Sequence, residues 1–411
     1  MGPPDTRRSG VQALEHVLDY VSEEHNVLVW NAESGSPRWL RAINWHAVFL
    51  GPTFLASRYG KRFLLYRALF RWLSDLSSIK VALPQDEYDS PAILDSWMQE
   101  WGIDHIVSTF PERAGLLYPK SCSSGVAVSR GYTGVVTRDL ENRHFSRGDL
   151  ESRPLDVVYR ARSASARFGK LGQMKSQLGQ RFADAAGMTH SLRLDLSGEA
   201  SATIHGDAWI DFLGSSVATL TLPSGSSLID FDGRVRKCLQ KKRIRGIGSL
   251  TPGQHCLEMA SDYGPFEALA PRHIEAALLG TVQIGVVGDY SGVLLAGEHY
   301  LALEPDFSNI QEVLTALRDF DKLEAIRASA LERVMSIPRL QAGVLARDLV
   351  GLVLAHADET GLVGGNSGFS RVTIERAGRR EERLWATRAI LSKNRRQSAA
   401  RRKKEGFSTT A

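Results

Sequence analysis

The sequence is poor in cysteine and has no long apolar run. Its three cysteines, Cys122, Cys238 and Cys256, lie far apart among 411 residues and form no C-x-x-C pair. Neither a structural zinc site nor a disulfide framework is expected, and all three are read as thiols in a reducing compartment. The longest apolar stretch, residues 276–288, is interrupted by Thr281 and Gln283 and is too short to cross a bilayer. The first ten residues hold no apolar segment of the secretory type. Several catalytic signatures are also missing: there is no G-x-x-x-x-G-K-[ST] phosphate loop, no G-x-S-x-G elbow and no H-E-x-x-H helix. The eleven histidines are scattered, so no metal site is expected.

What is present is an ordinary globular composition, 43% hydrophobic and 24% charged. It excludes a fully disordered chain, a collagen and a coiled-coil rod. The formal net charge of +5 is unevenly spread. Residues 388–411 hold eight Lys/Arg against Glu405, a local charge of +7 that leaves −2 for the remainder. A near-neutral body does not point to a specific nucleic-acid-binding face. The basic residues from Arg388 to Lys404 suit an anionic membrane surface, or equally nonspecific nucleic-acid binding through phosphates, or serve as a solubilising end.

Short apolar runs alternate with helical patterns, which predicts an α/β fold with parallel sheets covered by helices. Expected strands in the first part are residues 26–31, 47–50, 79–83 and 105–108, with helices over 8–25, 58–74 and 90–101. Ser90 is the expected N-cap of the last helix, ahead of Pro91. The chain starts on a helix, so the usual first strand is expected to be missing or replaced. Polar residues 143–154 mark an expected boundary. Beyond it come strands at 155–159, 190–194, 218–222, 282–287 and 300–303, and helices at 170–186, 207–215, 271–279 and 308–334. Two Rossmann-like domains are therefore expected, 1–150 and 151–340, then a helix over 341–360 and a flexible linker and basic tail over 361–411. Ligands of such sheets bind outside the carboxyl ends of the strands.

Five stretches carry candidate chemistry. In residues 264–280, Pro271 opens a helix whose first N–H groups suit a phosphate. Arg272 and His273 add charge and hydrogen bonds there, and Glu275, one turn on, suits ribose hydroxyls; Glu267 precedes Glu275 with seven residues between them. In residues 287–300 a strand runs into Gly288, Asp289, Tyr290, Ser291 and Gly292, where glycines let a ligand approach the backbone. At the end of the strand at 155–159, Arg160 and Arg162, followed by Lys170 and Lys175, suit a diphosphate. Ser224, Gly225 and Ser226 follow another strand and suit a helix cap and an anion. Asp230 and Asp232, just beyond, either bind sugar hydroxyls or end a turn. In the first domain, Asp86 and Glu87 follow the strand at 79–83 directly and are candidates for a base or for acceptor binding; Glu112 holds a similar strand-end position.

The run L-D-V-V-Y-R-A-R, L-G-Q-M-K, P-S-G-S-S-L-I-D-F-D-G, A-P-R-H-I-E-A-A-L-L-G and G-D-Y-S-G-V-L-L-A-G-E-H-Y-L-A-L-E-P-D-F-S-N resembles the bacterial GT-B glycosyltransferases of surface-polysaccharide and O-antigen synthesis, including the spore-protein-like (CgeB-like) group. Q-D-E-Y and F-P-E, at residues 85–88 and 110–112, are similar to the first domain of that group. The resemblance spans residues 27–318 or so. It implies a GT-B architecture, with a nucleotide-sugar donor (a UDP-, GDP- or dTDP-sugar) on the second domain, an acceptor against the first, and no required cofactor or metal. Glu275 then corresponds to the donor-ribose acid, Arg160 and Arg162 to diphosphate contacts, Arg272 and His273 to neighbours of the donor, and Glu267 to the first of a glutamate pair. The glycine-rich stretch usual between those glutamates is absent. The implied enzyme is a metal-independent, cytoplasmic hexosyltransferase acting on a glycan or lipid-linked acceptor, with the tail as a contact to the inner membrane face. The alternative is a non-catalytic GT-B-like module that binds a nucleotide or glycan.

Overall fold

The computed structural model describes residues 9–143, 148–161, 164–187, 192–240 and 252–361, with Arg376 and Arg380. Two parallel sheets organise the chain. The first contains β1 (Ala47–Leu50), β2 (Ile79–Ala82), β3 (His105–Ser108) and β4 (Ala127–Arg130), side by side in chain order and all parallel. All four residues of β2 are buried, as expected of a strand covered on both faces by helices. Strand β4 was not anticipated: it reads A-V-S-R and lacks a continuous apolar run.

Three expectations for this region are corrected. Residues 26–31 form no strand; Trp30 instead packs edge-on against Trp39 and donates to the Gly35 carbonyl. The helix expected over 58–74 is broken into short pieces, Ala56–Tyr59, Phe63–Leu69 and Arg71–Asp75. The break follows from Gly60, which is extended, and from Arg58, whose buried guanidinium binds the carbonyls of Leu55, Gln85, Asp86 and Asp89. Ser90 precedes the helix Pro91–Glu100 in a left-handed conformation, and its hydroxyl donates to Asp89 rather than capping.

The second sheet has the spatial order β6, β5, β7, β10, β11, all parallel. Its strands are β5 (Leu155–Arg160), β6 (Leu194–Ser197), β7 (Ser216–Thr221), β10 (Val282–Val286) and β11 (Leu301–Leu303). Every residue of β7 and β10 is buried. The chain steps from β5 outward to β6, then crosses back to β7 on the other side. The β5/β7 gap is thus the topological switch point, outside whose carboxyl ends such sheets bind ligands. The strand expected at 190–194 begins only at Leu194, and residues 188–191 lie outside the described residues. A short antiparallel ribbon, β8 (Ser224–Ser226) and β9 (Phe266–Ala268), stands just beyond β7. The run expected over 308–334 is two helices, Ile310–Ala316 and Phe320–Ser336; Asp319 caps the second by accepting from the Lys322 N–H. The arrangement is α/β with two Rossmann-like parallel sheets. The basic tail falls outside the described residues.

The two halves are stitched together beside the ribbon. Phe266 and Ala268 are buried in the core of the first half, with Phe266 edge-on to Phe110 at 5.4 Å. Asp230 bridges to Asp89, accepting from the Ser90 N–H at 2.6 Å and donating its own N–H to the Tyr88 carbonyl. The helix Ala342–Thr360 returns to the first sheet, where Leu345 and Leu349 pack with Val17, Ile79 and Val81. The expectation of three thiols is also corrected: Cys238 and Cys256 form a disulfide between the helices Arg234–Leu239 and Pro252–Leu257, while Cys122 is free. Seventeen intervening residues hid the pairing, because only the folded backbone brings the two Cα atoms to 5.6 Å.

Candidate functional site

The ribbon carries one group of the candidates. Gly225 faces Glu267 across it. Its φ is +132°, and an added Cβ would meet the Phe266 carbonyl oxygen at 1.8 Å, so only glycine fits. The expectation that residues 224–226 cap a helix is therefore corrected. Ser224, Gly225 and Ser226 are strand residues, and the buried Ser226 hydroxyl is spent on the Leu228 backbone. The cap is one residue on: Ser227 accepts from the Leu171 N–H, at 2.9 Å, at the start of the helix Gly169–Ala186.

Glu267 is half-buried and accepts from the Asp289 N–H at 2.7 Å. Burial raises its pKa, and the nearby Asp289 charge adds to this. The loop after β10 is clipped onto the ribbon. Ser291 accepts from the Leu269 N–H, and Asp289 accepts from the Gly292 N–H. Gly288 leaves no room for a side chain, since an added Cβ would meet Pro223 at 2.7 Å and the Glu267 carboxylate at 3.0 Å. Tyr290 is an internal brace rather than a ligand-facing group. It is fully buried, donates to the Val286 carbonyl, and packs on Tyr300 and His273.

The helix Pro271–Leu278 carries a second group. His273 is fully buried, and its Nδ1 accepts from the Ala270 N–H at 2.8 Å, so the neutral ring carries its proton on Nε2. Burial, with Arg272 alongside, lowers its pKa to about 3. His273 is thus a neutral cap for the helix start and not a charged donor-binding group. Arg272 is half-buried, donates to the Arg160 carbonyl at 2.9 Å, and lies near the Trp209 and Tyr159 rings. It therefore stands over the carboxyl end of β5, at the switch point. Glu275 is 5% exposed and accepts from the Trp209 indole N–H at 2.7 Å. Trp209, on the helix Asp207–Gly214, was not singled out from the sequence; its only signal was membership of a tryptophan-rich chain.

The remaining candidates are dispersed. Arg160 does not face a ligand: its guanidinium pairs with Asp195 at 2.9 Å, binds the Tyr159, Asp195 and Ala202 carbonyls, and stacks over Phe212. Arg162 lies outside the described residues. Lys170 is exposed at the start of its helix. In the first half, Asp86 is exposed while Glu87 is sealed from solvent. Glu87 accepts from Ser108, the Thr109 N–H and Tyr118, and burial raises its pKa. The expectation that either acid can serve as a base is thereby corrected: only Asp86, held by Tyr88, reaches solvent. Asp230 accepts from the Val235 and Arg236 N–H groups and so caps the next helix. Glu112 is exposed and pairs with Arg130 at 2.5 Å. Among the described residues no group of three or more His, Cys, Asp or Glu is arranged to hold a metal ion, and no helix is long and apolar enough to cross a membrane.

No protein-family model and no curated protein sequence matches the chain. Solved structures are similar to it. A pneumococcal O-GlcNAc transferase, GtfA, in complex with UDP and GlcNAc aligns with TM-score 0.39 and 10% identity, over 71% of this chain and 54% of that one. An α1,3-fucosyltransferase aligns with TM-score 0.39 and 11% identity, over 88% of each chain. A trehalose 6-phosphate synthase from Burkholderia multivorans aligns with TM-score 0.43 and 10% identity, over 88% of this chain and 79% of that one. The chain spans about half the length of the pneumococcal transferase.

Proposed function

We propose that the protein is a glycosyltransferase that moves a sugar from a nucleotide-sugar donor to a glycan or lipid-linked acceptor in cell-surface polysaccharide synthesis. The observation that carries the reading is the convergence of Arg272, Glu275 and Trp209 with the start of the helix Pro271–Leu278 beside the β5/β7 switch point. A helix start and a guanidinium attract a diphosphate. A carboxylate one turn along accepts hydrogen bonds from ribose hydroxyls.

In this reading Arg272 and the helix N–H groups neutralise the nucleoside diphosphate as it leaves, Glu275 positions the nucleoside, and Glu267 stands beside the transferred sugar. Asp86 accepts the proton of the acceptor hydroxyl as the new glycosidic bond forms and the bond from sugar to diphosphate breaks. Glu87 holds the Asp86 loop from beneath. Water exclusion between the two halves limits donor hydrolysis. The donor is a UDP-, GDP- or dTDP-sugar and the reaction is a metal-independent hexosyl transfer.

A thermal-unfolding screen against UDP, GDP, CDP, dTDP and ADP tests the reading. One nucleotide at ~100 times its dissociation constant stabilises the fold by roughly 2.7 kcal/mol, and Arg272→Ala abolishes the shift. No shift with any of them refutes the donor site. The second reading, a non-catalytic GT-B-like nucleotide- or glycan-binding module, is favoured by the engagement of Arg160 with Asp195. A nucleotide shift without donor turnover identifies it.

A further inference from the structure

The near-neutral charge of the body hides a strongly basic segment. Residues 26–74 contain seven Lys/Arg, and Glu33 is their only acid. The same segment holds four of the eight tryptophans: Trp30, Trp39, Trp45 and Trp72. Their rings are half-buried against the first core, and the indole N–H groups of Trp30, Trp45 and Trp72 are satisfied locally.

The helix Phe63–Leu69 turns Phe63 inward, edge-on to Trp97 at 5.0 Å, and Leu69 follows it onto the core. Its opposite side is open. Lys61, Leu64, Leu65 and Ala68, spaced i, i+3, i+4, i+7, are all exposed, Leu64 by 72% and Leu65 by 54%. Lys61 and Arg62 precede this helix and Arg71 follows it, and all three are exposed. Arg62 meets Glu33 at 3.5 Å; Lys61 and Arg71 have no acidic partner among the described residues. Arg41 reaches the Trp72 ring, which extends the positive rim.

We propose that this face docks on an anionic lipid bilayer, with Leu64 and Leu65 entering the headgroup boundary and Lys61 and Arg71 meeting lipid phosphates. Neighbouring exposed leucines inside a basic rim are the signature of interfacial binding. A single-stranded nucleic-acid surface instead presents aromatic rings for stacking, and here the aromatic rings turn inward. The inference does not depend on the donor site, nor on residues 388–404.

The test is co-sedimentation of the full-length protein with vesicles of phosphatidylcholine alone and of phosphatidylcholine with 30% phosphatidylglycerol. The anionic vesicles bind the protein and the neutral ones bind it more weakly, with a steep dependence on salt. Leu64→Ser with Leu65→Ser lowers the partition coefficient by about tenfold, and Lys61→Ser with Arg71→Ser does so by a similar factor. Both pairs are exposed, so both double variants keep the wild-type unfolding midpoint. The proposal is overturned if the wild type ignores anionic vesicles. It is equally overturned if the leucine variant binds them as the wild type does, which assigns binding to another basic segment. Single-stranded RNA binding that is lost on Lys61→Ser with Arg71→Ser, while vesicle binding is absent, overturns the proposal and assigns the face to nucleic acid.

Discussion

The indole N–H of Trp209 donates to the Glu275 carboxylate at 2.7 Å, joining two helices at the edge of the switch point. The contact holds one carboxylate oxygen and fixes the ring beside Arg272. In the proposed function, a nucleotide entering there meets a carboxylate, a guanidinium and an aromatic face whose positions are already set.

Glu275→Gln therefore weakens nucleotide affinity by about ten- to a hundredfold, the range for a lost hydrogen bond to a charged group. Trp209→Phe keeps the ring, loses the hydrogen bond, and weakens affinity less. Titration calorimetry with the nucleotide selected by the thermal screen gives both values; equal affinities in all three proteins refute the ribose assignment.

Arg160 and Arg272 separate structure from binding. Arg160→Ala removes the link to Asp195 and the Ala202 carbonyl and lowers unfolding free energy by about 1–3 kcal/mol, with nucleotide affinity nearly unchanged. Arg272→Ala does the reverse. Urea unfolding and calorimetry on the same two variants check this, and the opposite pattern restores Arg160 as the diphosphate contact.

Gly225→Ala strikes the ribbon beneath Glu267. A methyl group 1.8 Å from the Phe266 carbonyl oxygen, at a φ of +132°, forces the two strands apart and costs about 3 kcal/mol or more. A shift in the urea midpoint measures the loss, and an unchanged midpoint shows that the ribbon does not pair as described.

His273 gives a pH dependence of definite sign. Its folded pKa of about 3 is below the ordinary histidine value of 6.5. Its stabilising share is therefore fully present above pH 6.5 and is lost as pH falls from there toward 3, because only the unfolded chain takes up the proton. The stability difference between wild type and His273→Asn narrows on acidification through that window. Chemical unfolding at pH 7, 5.5 and 4 measures it, and a constant difference contradicts the buried neutral ring.

The Cys238–Cys256 disulfide closes a loop with a sequence separation of 18. A dithiol reductant, or paired serine substitutions, lowers stability by roughly 3 kcal/mol. Thiol titration of the unreduced, unfolded protein yields one thiol, Cys122; three thiols would reinstate the reading made from spacing alone.

Local pattern was enough for much of this fold. The strands β2, β5, β7 and β10 are short segments rich in β-branched and apolar residues, and Pro271 at a helix start needs no distant partner to be recognised. The alternation of those segments with helices is what predicted two parallel sheets. Of the candidate site, residue type and position at a helix start single out Arg272 and Glu275, and the resemblance to a glutamate pair singles out Glu267. Residue type and position cannot tell which side of a loop a side chain leaves from. Asp86 and Glu87 are adjacent in sequence, yet one reaches solvent and the other is sealed beneath three donors. Arg160 lies at the expected strand end, but Asp195 on the neighbouring strand claims it. Trp209 becomes a partner of Glu275, and Cys238 a partner of Cys256, only when segments far apart in the chain are packed together. The sequence by itself determined the elements and their class, because periodicity and capping act within a few residues. Which charges are spent, which are buried and which remain open to a ligand was decided by tertiary structure, because desolvation and hydrogen bonding depend on neighbours that sequence distance does not reveal.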